Sequence, residues 1–278
     1  MAGAGMNSIK ARIKSVKSTM QITGAMELVA TSKLRRAKER VERTRPFYMT
    51  LDGAIKDVIR VAEITDSPYT RAKESKTLYI VIAGDRGLAG GYNANIFRLA
   101  SRLIADGDMI LPIGKKACEY YKNKSYPIFG EPIMYVGELG VGDTLALGDG
   151  VTRAFVAGEI GRVVLVYTRF VSMMTQSAVY EELLPLECGD SCSTSDPEYD
   201  IEPEAMLDAI VPKYVGGVIY SAVCEALASE QGARRSAMNA ANKNAKEMID
   251  DLMLRYNRAR QAIITQEITE IVSGAEAL

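Results

Sequence analysis

From Arg235 to Leu278 the chain carries no proline, and no glycine before Gly274. Nothing in that stretch breaks a helix. Ala241, Ala245, Met248, Leu252, Ala259 and then Ala262 or Ile263 recur at spacings of 3, 4 and 7. That is the seam of a coiled coil rather than the broad stripe of a helix lying on a core. Small residues on the seam let a second helix come close. Beyond Arg260 charges are few, which predicts a tip enclosed by another protein. As one helix, Glu204 to Ala277 would span roughly 110 Å at ~1.5 Å per residue, several times the width of a small domain.

The other end of the chain supplies the second helix. From Asn7 to about Arg45 there is no proline, and only Gly24 interrupts. Ile9, Ile13, Val16 and Met20 step by 4, 3 and 4, and Met26 and Val29 continue the stripe less regularly. Asn7 or Ser8 is the expected cap. Pro46 marks a bend or stop, after which Leu51, Ile55, Val58, Ile59 and Ala62 resume a helical period.

Between the helices the pattern changes. Thr77 to Ala83 (TLYIVIA) is a compact β-rich apolar run, as expected of a strand buried on both faces. The turn GDRGLAGGYN follows, then a helix from about Ala94 to Ala105, a strand at Asp108–Ile113 and a helix at Lys115–Lys122. Leu145–Glu159 reads as a helix despite Gly148 and Gly150, and Arg162–Phe170 and Ala178–Leu184 as strands. Alternation of strands and helices predicts a small α/β domain of doubly wound type. Cys188 to Pro203 is an acidic linker into the last helix. The resulting division is an N-terminal helix at 1–62, a globular α/β domain at 63–203 and a C-terminal helix at 204–278.

Composition narrows the chemistry. Histidine and tryptophan are absent, which removes every scheme built on imidazole and the commonest metal ligand. Gly84, Gly87, Gly90 and Gly91 sit between a strand and a helix, where a phosphate would bind. Their spacing, G-x-x-G-x-x-G-G, is neither the dinucleotide fingerprint nor a P-loop. A tight turn with close strand–helix packing accounts for them. The four cysteines are too few and scattered for a disulfide framework. Cys188 and Cys192 are two spare thiols in a loop or a redox-sensitive clip. No run of 18 apolar residues marks a membrane span, and the N-terminus lacks the apolar core of a signal peptide.

Charge is strongly polarised beneath a net −1. Residues 1–45 hold eleven Lys or Arg against three Glu, whereas Phe170 to Pro212 holds ten acidic residues and no basic one. The run Lys33, Arg35, Arg36, Lys38, Arg40 lacks the interleaved aromatics of a nucleic-acid reader. A solvated face, or contact with acidic loops of a protein partner, fits it better.

Three segments resemble one family. IKARIKSVKSTMQITGAMELVATSKLRRA (Ile9 to Ala37) resembles the N-terminal signature of the γ subunit of F-type ATP synthase. GDRGLAGGYNANI is similar to its central motif, and Arg234 to Leu278, with NRARQAIITQEITEIVSGAEAL, closely resembles its C-terminal signature. Ala83-Gly84 stands where the family usually has Ser-Asp nearby, and Ala89 where cysteine is common. Both departures lie in the α/β domain.

The resemblance implies a long antiparallel coiled coil formed by the terminal helices, with an inserted doubly wound, Rossmann-like α/β domain. It implies a rotor inside a ring of α and β subunits, with the ε subunit beside the α/β domain and the ring of c subunits beneath. Chemistry would reside in β, so no cofactor, metal or catalytic residue is expected here. By the same resemblance Met26, Arg234, Arg260, Gln261 and Thr265 contact the ring, and Lys33, Arg35 and Arg36 face acidic loops of β. Chloroplast members carry a regulatory cysteine pair in an insertion near Cys188 and Cys192, but that insertion is missing here. The starting methionine and lack of a transit peptide point to a bacterial protein, peripheral on the cytoplasmic face of the plasma membrane. A coiled-coil interaction protein whose α/β head binds a ligand or partner shares the helices and the head. It gives no reason for both ends to match one family.

Overall fold

The computed structural model describes residues 2–61, 67–71, 73, 75–124, 126–186 and 203–276. The elements are α1 (Ala2–Val61), β1 (Thr77–Ile82), α2 (Tyr92–Leu103), β2 (Met109–Ile113), α3 (Lys115–Lys122), α4 (Val141–Val156), β3 (Arg162–Phe170), β4 (Gln176–Leu184) and α5 (Pro203–Glu276). They form two compact units, one of residues 1–30 with 235–278 and one of residues 31–234.

The smaller unit pairs the start of α1 with the end of α5. Covered positions on α1 include Met6, Ile9, Ile13, Val16, Met20, Thr23, Glu27 and Ala30, in alternating steps of 3 and 4, with Gly24 and Met26 on the flank. On α5 they include Met238, Asn242, Ala245, Ile249, Leu252, Tyr256, Ala259 and Ile263, in the same alternation. Both follow the heptad that keeps a seam facing its partner. Thr23 meets Asn242 while Glu27 meets Asn239, so the helices run antiparallel. Four expected seam residues, Met26, Val29, Ala241 and Met248, fall outside this phase. Val29 is 55% exposed, and Met248 is 44% exposed while Ile249 takes its place. The seam passes through the polar residues Thr23, Glu27 and Asn242, which an apolar count skips. Asn7 and Ser8 are not caps, because α1 already starts at Ala2; the Ala-containing residues before them are compatible with the helix.

In the larger unit α1 runs through Pro46 without stopping. An interior proline forfeits a hydrogen bond at a cost of ~3 kcal/mol. Beyond it Ile55, Val58 and Ile59 are buried in the main core, and each such side chain returns about 1.5–3 kcal/mol. Pro212 inside α5 is carried in the same way, between the buried Leu207, Val211 and Val215.

The sheet order is β2-β1-β3-β4. β1 pairs in parallel with both β2 and β3, Leu78 lying opposite Met109 on one side and Val163 on the other. Alternation along β1 feeds two cores. Leu78, Ile80 and Ile82 join Phe155, Val215 and Ile219 on one face, and Tyr79, Val81 and Ala83 join Ile96, Ala117 and Tyr121 on the other. β4 departs from a simple parallel alternation, because it pairs antiparallel with β3. Only the tight return at Ser172–Thr175 joins them, closed by a 3.0 Å bond from Ser172 N–H to Thr175 O. So short a connection cannot make the crossover that a parallel strand needs.

Helices α4 and α5 touch backbone to backbone. A Cβ at Gly148 would stand 2.5 Å from the Gly216 nitrogen and the Pro212 carbonyl oxygen. That contact explains a glycine inside a helix. One 18-residue window of α5 reaches a mean hydropathy of 1.2, and 56% of it is buried within the protein. Its apolarity serves the core, through Val215, Ile219, Ala222 and Val223.

Candidate functional site

Three places could carry function: the exposed ends of the coiled coil, the glycine loop, and a cleft beside the sheet. On α1, Lys33, Arg35 and Arg36 are exposed, and Met26 is half-buried on the flank of the seam. Arg35 approaches Glu39 only to 4.0 Å, with 81% of its side chain exposed. Pairs of this kind contribute little to stability, so these cations are available to a partner. On α5, Arg260, Gln261 and Thr265 are exposed, and the Thr265 hydroxyl donates to the Gln261 carbonyl at 2.9 Å. Around them Ile264, Ile268, Ile271 and Val272 are 46–71% exposed. Ile264, Ile268 and Ile271 step by 4 and 3, which aligns them on one helix face. An exposed apolar stripe on a polar helix end is the mark of a contact surface.

Arg234 stands apart from the other residues that the resemblance singles out, being 7% exposed. Its guanidinium pairs with Glu230 one turn earlier and donates to the Gly87 carbonyl at 3.2 Å. Arg234 thus anchors the glycine loop within the unit of residues 31–234. Burial pushes the Glu230 carboxyl above its ordinary range, with Arg234 pulling it back down.

The loop's own polar groups are engaged by the chain. Asn93 Oδ1 accepts from Gly84 N–H at 2.9 Å, and Asp85 Oδ1 accepts from Val136 N–H at 3.1 Å. A Cβ at Gly84 would lie 3.0 Å from the Glu230 carboxyl carbon. In a doubly wound sheet, ligands enter beyond the carboxyl ends of the strands. Here the Glu230 side chain lies against that loop. Leu88 is held at φ 62°, uncommon for a residue with a side chain, and is 64% exposed. Glu230, Asp85 and Asn93 were not singled out from the sequence. The one signal was an i,i+4 Glu–Arg pair in an alanine-rich stretch.

The cleft, of about 500 Å³, lies between α1, α5 and the β3–β4 hairpin. Its charges are paired internally. Tyr214 OH donates to Asp52 at 2.8 Å, Phe170 N–H donates to Glu225 at 3.1 Å, and Arg169 pairs with Glu181. Cys188 and Cys192 lie outside the described residues. Cys118 and Cys224 are free and buried, and burial pushes both thiols up, away from the reactive thiolate form.

Comparison with known proteins accounts for this arrangement. A family model described as ATP synthase matches residues 5–278. The ATP synthase gamma chain of Ruminococcus albus is 46% identical over 282 residues, covering 98% of each chain. The sodium ion specific ATP synthase gamma chain of Acetobacterium woodii is 40% identical over 297 residues, again covering 98% of each. Among solved structures, a chain of the Euglena gracilis mitochondrial ATP synthase rotor superposes with a TM-score of 0.70. It is 20% identical, and the match covers 94% of this chain and 99% of that one, a likeness of fold. With nearly the full length of both chains aligned at these identities, this chain belongs to the ATP synthase gamma chain family.

Proposed function

We propose that this chain is the central rotor shaft of an F-type ATP synthase, coupling ion flow through a membrane ring to ATP synthesis or hydrolysis on β subunits. The observation that carries the reading is family membership along the full chain, together with the unpartnered stripe Ile264, Ile268 and Ile271 at the end of α5. The helices of 1–62 and 204–278 form the shaft and 63–203 the head. The shaft sits within the ring of α and β subunits, and the head meets ε and the c ring. The complex is peripheral, on the cytoplasmic face of a bacterial plasma membrane. This chain supplies no catalytic group.

A single asymmetric rod cannot contact three β subunits identically, so each is biased to a different state and rotation permutes them. Driving a two-state element from 1:99 to 99:1 takes ~5.5 kcal/mol of differential interaction. An exposed ion pair supplies roughly 0–1 kcal/mol. Steric fit along the shaft therefore provides most of the bias, and Met26, Lys33, Arg35, Arg36, Arg260, Gln261 and Thr265 add direction as rotor–ring contacts. Arg234 serves through the loop it holds.

The test is ATP hydrolysis by the cognate α and β subunits with and without this chain. Co-purification of the three, with cooperative turnover that depends on the chain, is expected. If α and β neither bind it nor respond to it, the reading fails and a coiled-coil protein with another partner takes its place. Met26→Lys is expected to leave assembly intact and to weaken coupling. A cation at an apolar contact costs about 1–3 kcal/mol, so hydrolysis continues while the ion gradient it builds falls several-fold. Unchanged ion pumping per ATP hydrolysed in membrane vesicles would remove Met26 from the contact set.

A further inference from the structure

Within the unit of residues 1–30 and 235–278 the covered heptad positions Met6 to Ala30 on α1 and Met238 to Ile263 on α5 are apolar, alanine or tyrosine except at Thr23, Glu27 and Asn242, and Arg235 continues the α5 phase at the edge of the unit. Asn242 meets both Thr23 and Glu27. The Thr23 hydroxyl donates to Asn242 Oδ1, and Asn242 Nδ2 donates to Glu27 Oε2 at 3.1 Å. From the rim, Asn239 Nδ2 donates to Glu27 Oε1 at 3.1 Å. Asn242 thus has both its carbonyl and its amide nitrogen engaged across the seam, and Glu27 takes an amide donor on each oxygen.

We propose that this layer is a register lock, fixing the axial position of the end of α5 against α1. The remaining seam of Ile, Val, Met and Ala is forgiving, since apolar knobs fit many apolar holes. A lone polar layer is not forgiving, because displacement leaves its groups without matching donors and acceptors. Sliding α5 by one heptad puts Asn242 opposite Val16 or Ala30 according to direction, and in one direction brings Ile249 to the place Asn242 held. Thr23 keeps the carbonyls of Thr19 and Met20 on its own helix, at 3.1 Å each. The penalty therefore falls on Asn242 and Glu27. A heptad slip advances a helix by roughly 10 Å and carries every exposed contact beyond it by the same distance. Gly24 does not set the register, since a Cβ there would meet Asn242 only at 3.8 Å, an ordinary contact. The lock holds whether or not the chain turns, so its test is separate from the test of the rotor reading.

The experiment uses the full-length chain with its four native cysteines replaced. Two pairs of new cysteines are compared under mild oxidation. Val16→Cys with Ile249→Cys reports the register set by Thr23 and Asn242, and Val16→Cys with Tyr256→Cys reports a slip of one heptad. With the layer intact, the first disulfide is expected to exceed the second at least about tenfold. In the Thr23→Val, Glu27→Leu, Asn242→Leu variant the ratio is expected to collapse to within about threefold, with no fall in Tm, since buried polar groups give specificity at a cost in stability. A variant that keeps the full native preference overturns the proposal. If that variant forms neither disulfide, Asn242→Leu alone is read in the same way, and a native-only pattern there overturns it equally.

Discussion

Arg234→Ala is expected to lower the stability of the protein by about 3–5 kcal/mol, the usual effect of stripping one partner from a buried ion pair. The side chains of Arg234 and Glu230 are 9% and 5% exposed. Without the guanidinium, the carboxylate is left in a poorly hydrated site, and the Gly87 carbonyl loses its donor as well. The loss should depend on pH, with a definite sign. Burial already raises the Glu230 carboxyl in the folded protein, and removing Arg234 raises it further. A raised carboxyl favours the fold below its unfolded value, about 4.3, and that advantage disappears as pH rises through the folded value. The variant should therefore be furthest below wild type at pH 8 and approach it towards pH 5. Urea unfolding followed by circular dichroism at both values measures this. Adding Glu230→Gln should recover much of the loss at pH 8. A deficit that ignores both pH and the second substitution would mean that Arg234 acts only through the loop carbonyls.

The second large effect concerns one glycine on α5, with a glycine on α4 as its control. Gly216→Val is expected to prevent α4 from docking on α5. Even the first carbon of the side chain would stand 2.6 Å from the Thr144 carbonyl oxygen and 2.7 Å from the Leu145 Cα. Both neighbours are backbone in a helix and cannot rotate away. Overpacking of side chains commonly costs about 1–3 kcal/mol, and a backbone clash inside the main core belongs above that range. Gly150 is the control. It lies in the same helix as Gly148, with nothing within 4 Å of an added Cβ. Gly150→Ala should raise stability by about 0.5–1 kcal/mol through helix propensity. The comparison is made by thermal unfolding of the full chain. Equal effects at the two positions would discard the close-contact account of α4 and α5.

Much of the fold was legible because its signals are local. β1 and β3 are rich in β-branched and aromatic residues, and the interior of each emerges buried on two faces. The helical period of Leu51, Ile55, Val58 and Ile59 survived a proline because the same residues enter the core. The direction of β4 was less legible. It depends on a hairpin return of a few residues, whereas an alternation of elements suggests crossovers. At the site, the exposed cations and the sparse-charge end of α5 could be read directly, since nothing else in the chain competes for them.

What the sequence by itself determined is the architecture: two heptad-bearing helices at the ends and a β/α pattern between, each set by periodicity within one segment. What the tertiary structure decided is phase and pairing. The seam runs through Thr23, Glu27 and Asn242 because those polar groups satisfy one another across two helices more than 200 residues apart in sequence. Arg234 turns inward because a carboxylate and a carbonyl from the glycine loop wait there. Both facts depend on which groups meet at long range, and a hydrogen bond or buried charge has no counterpart in local periodicity.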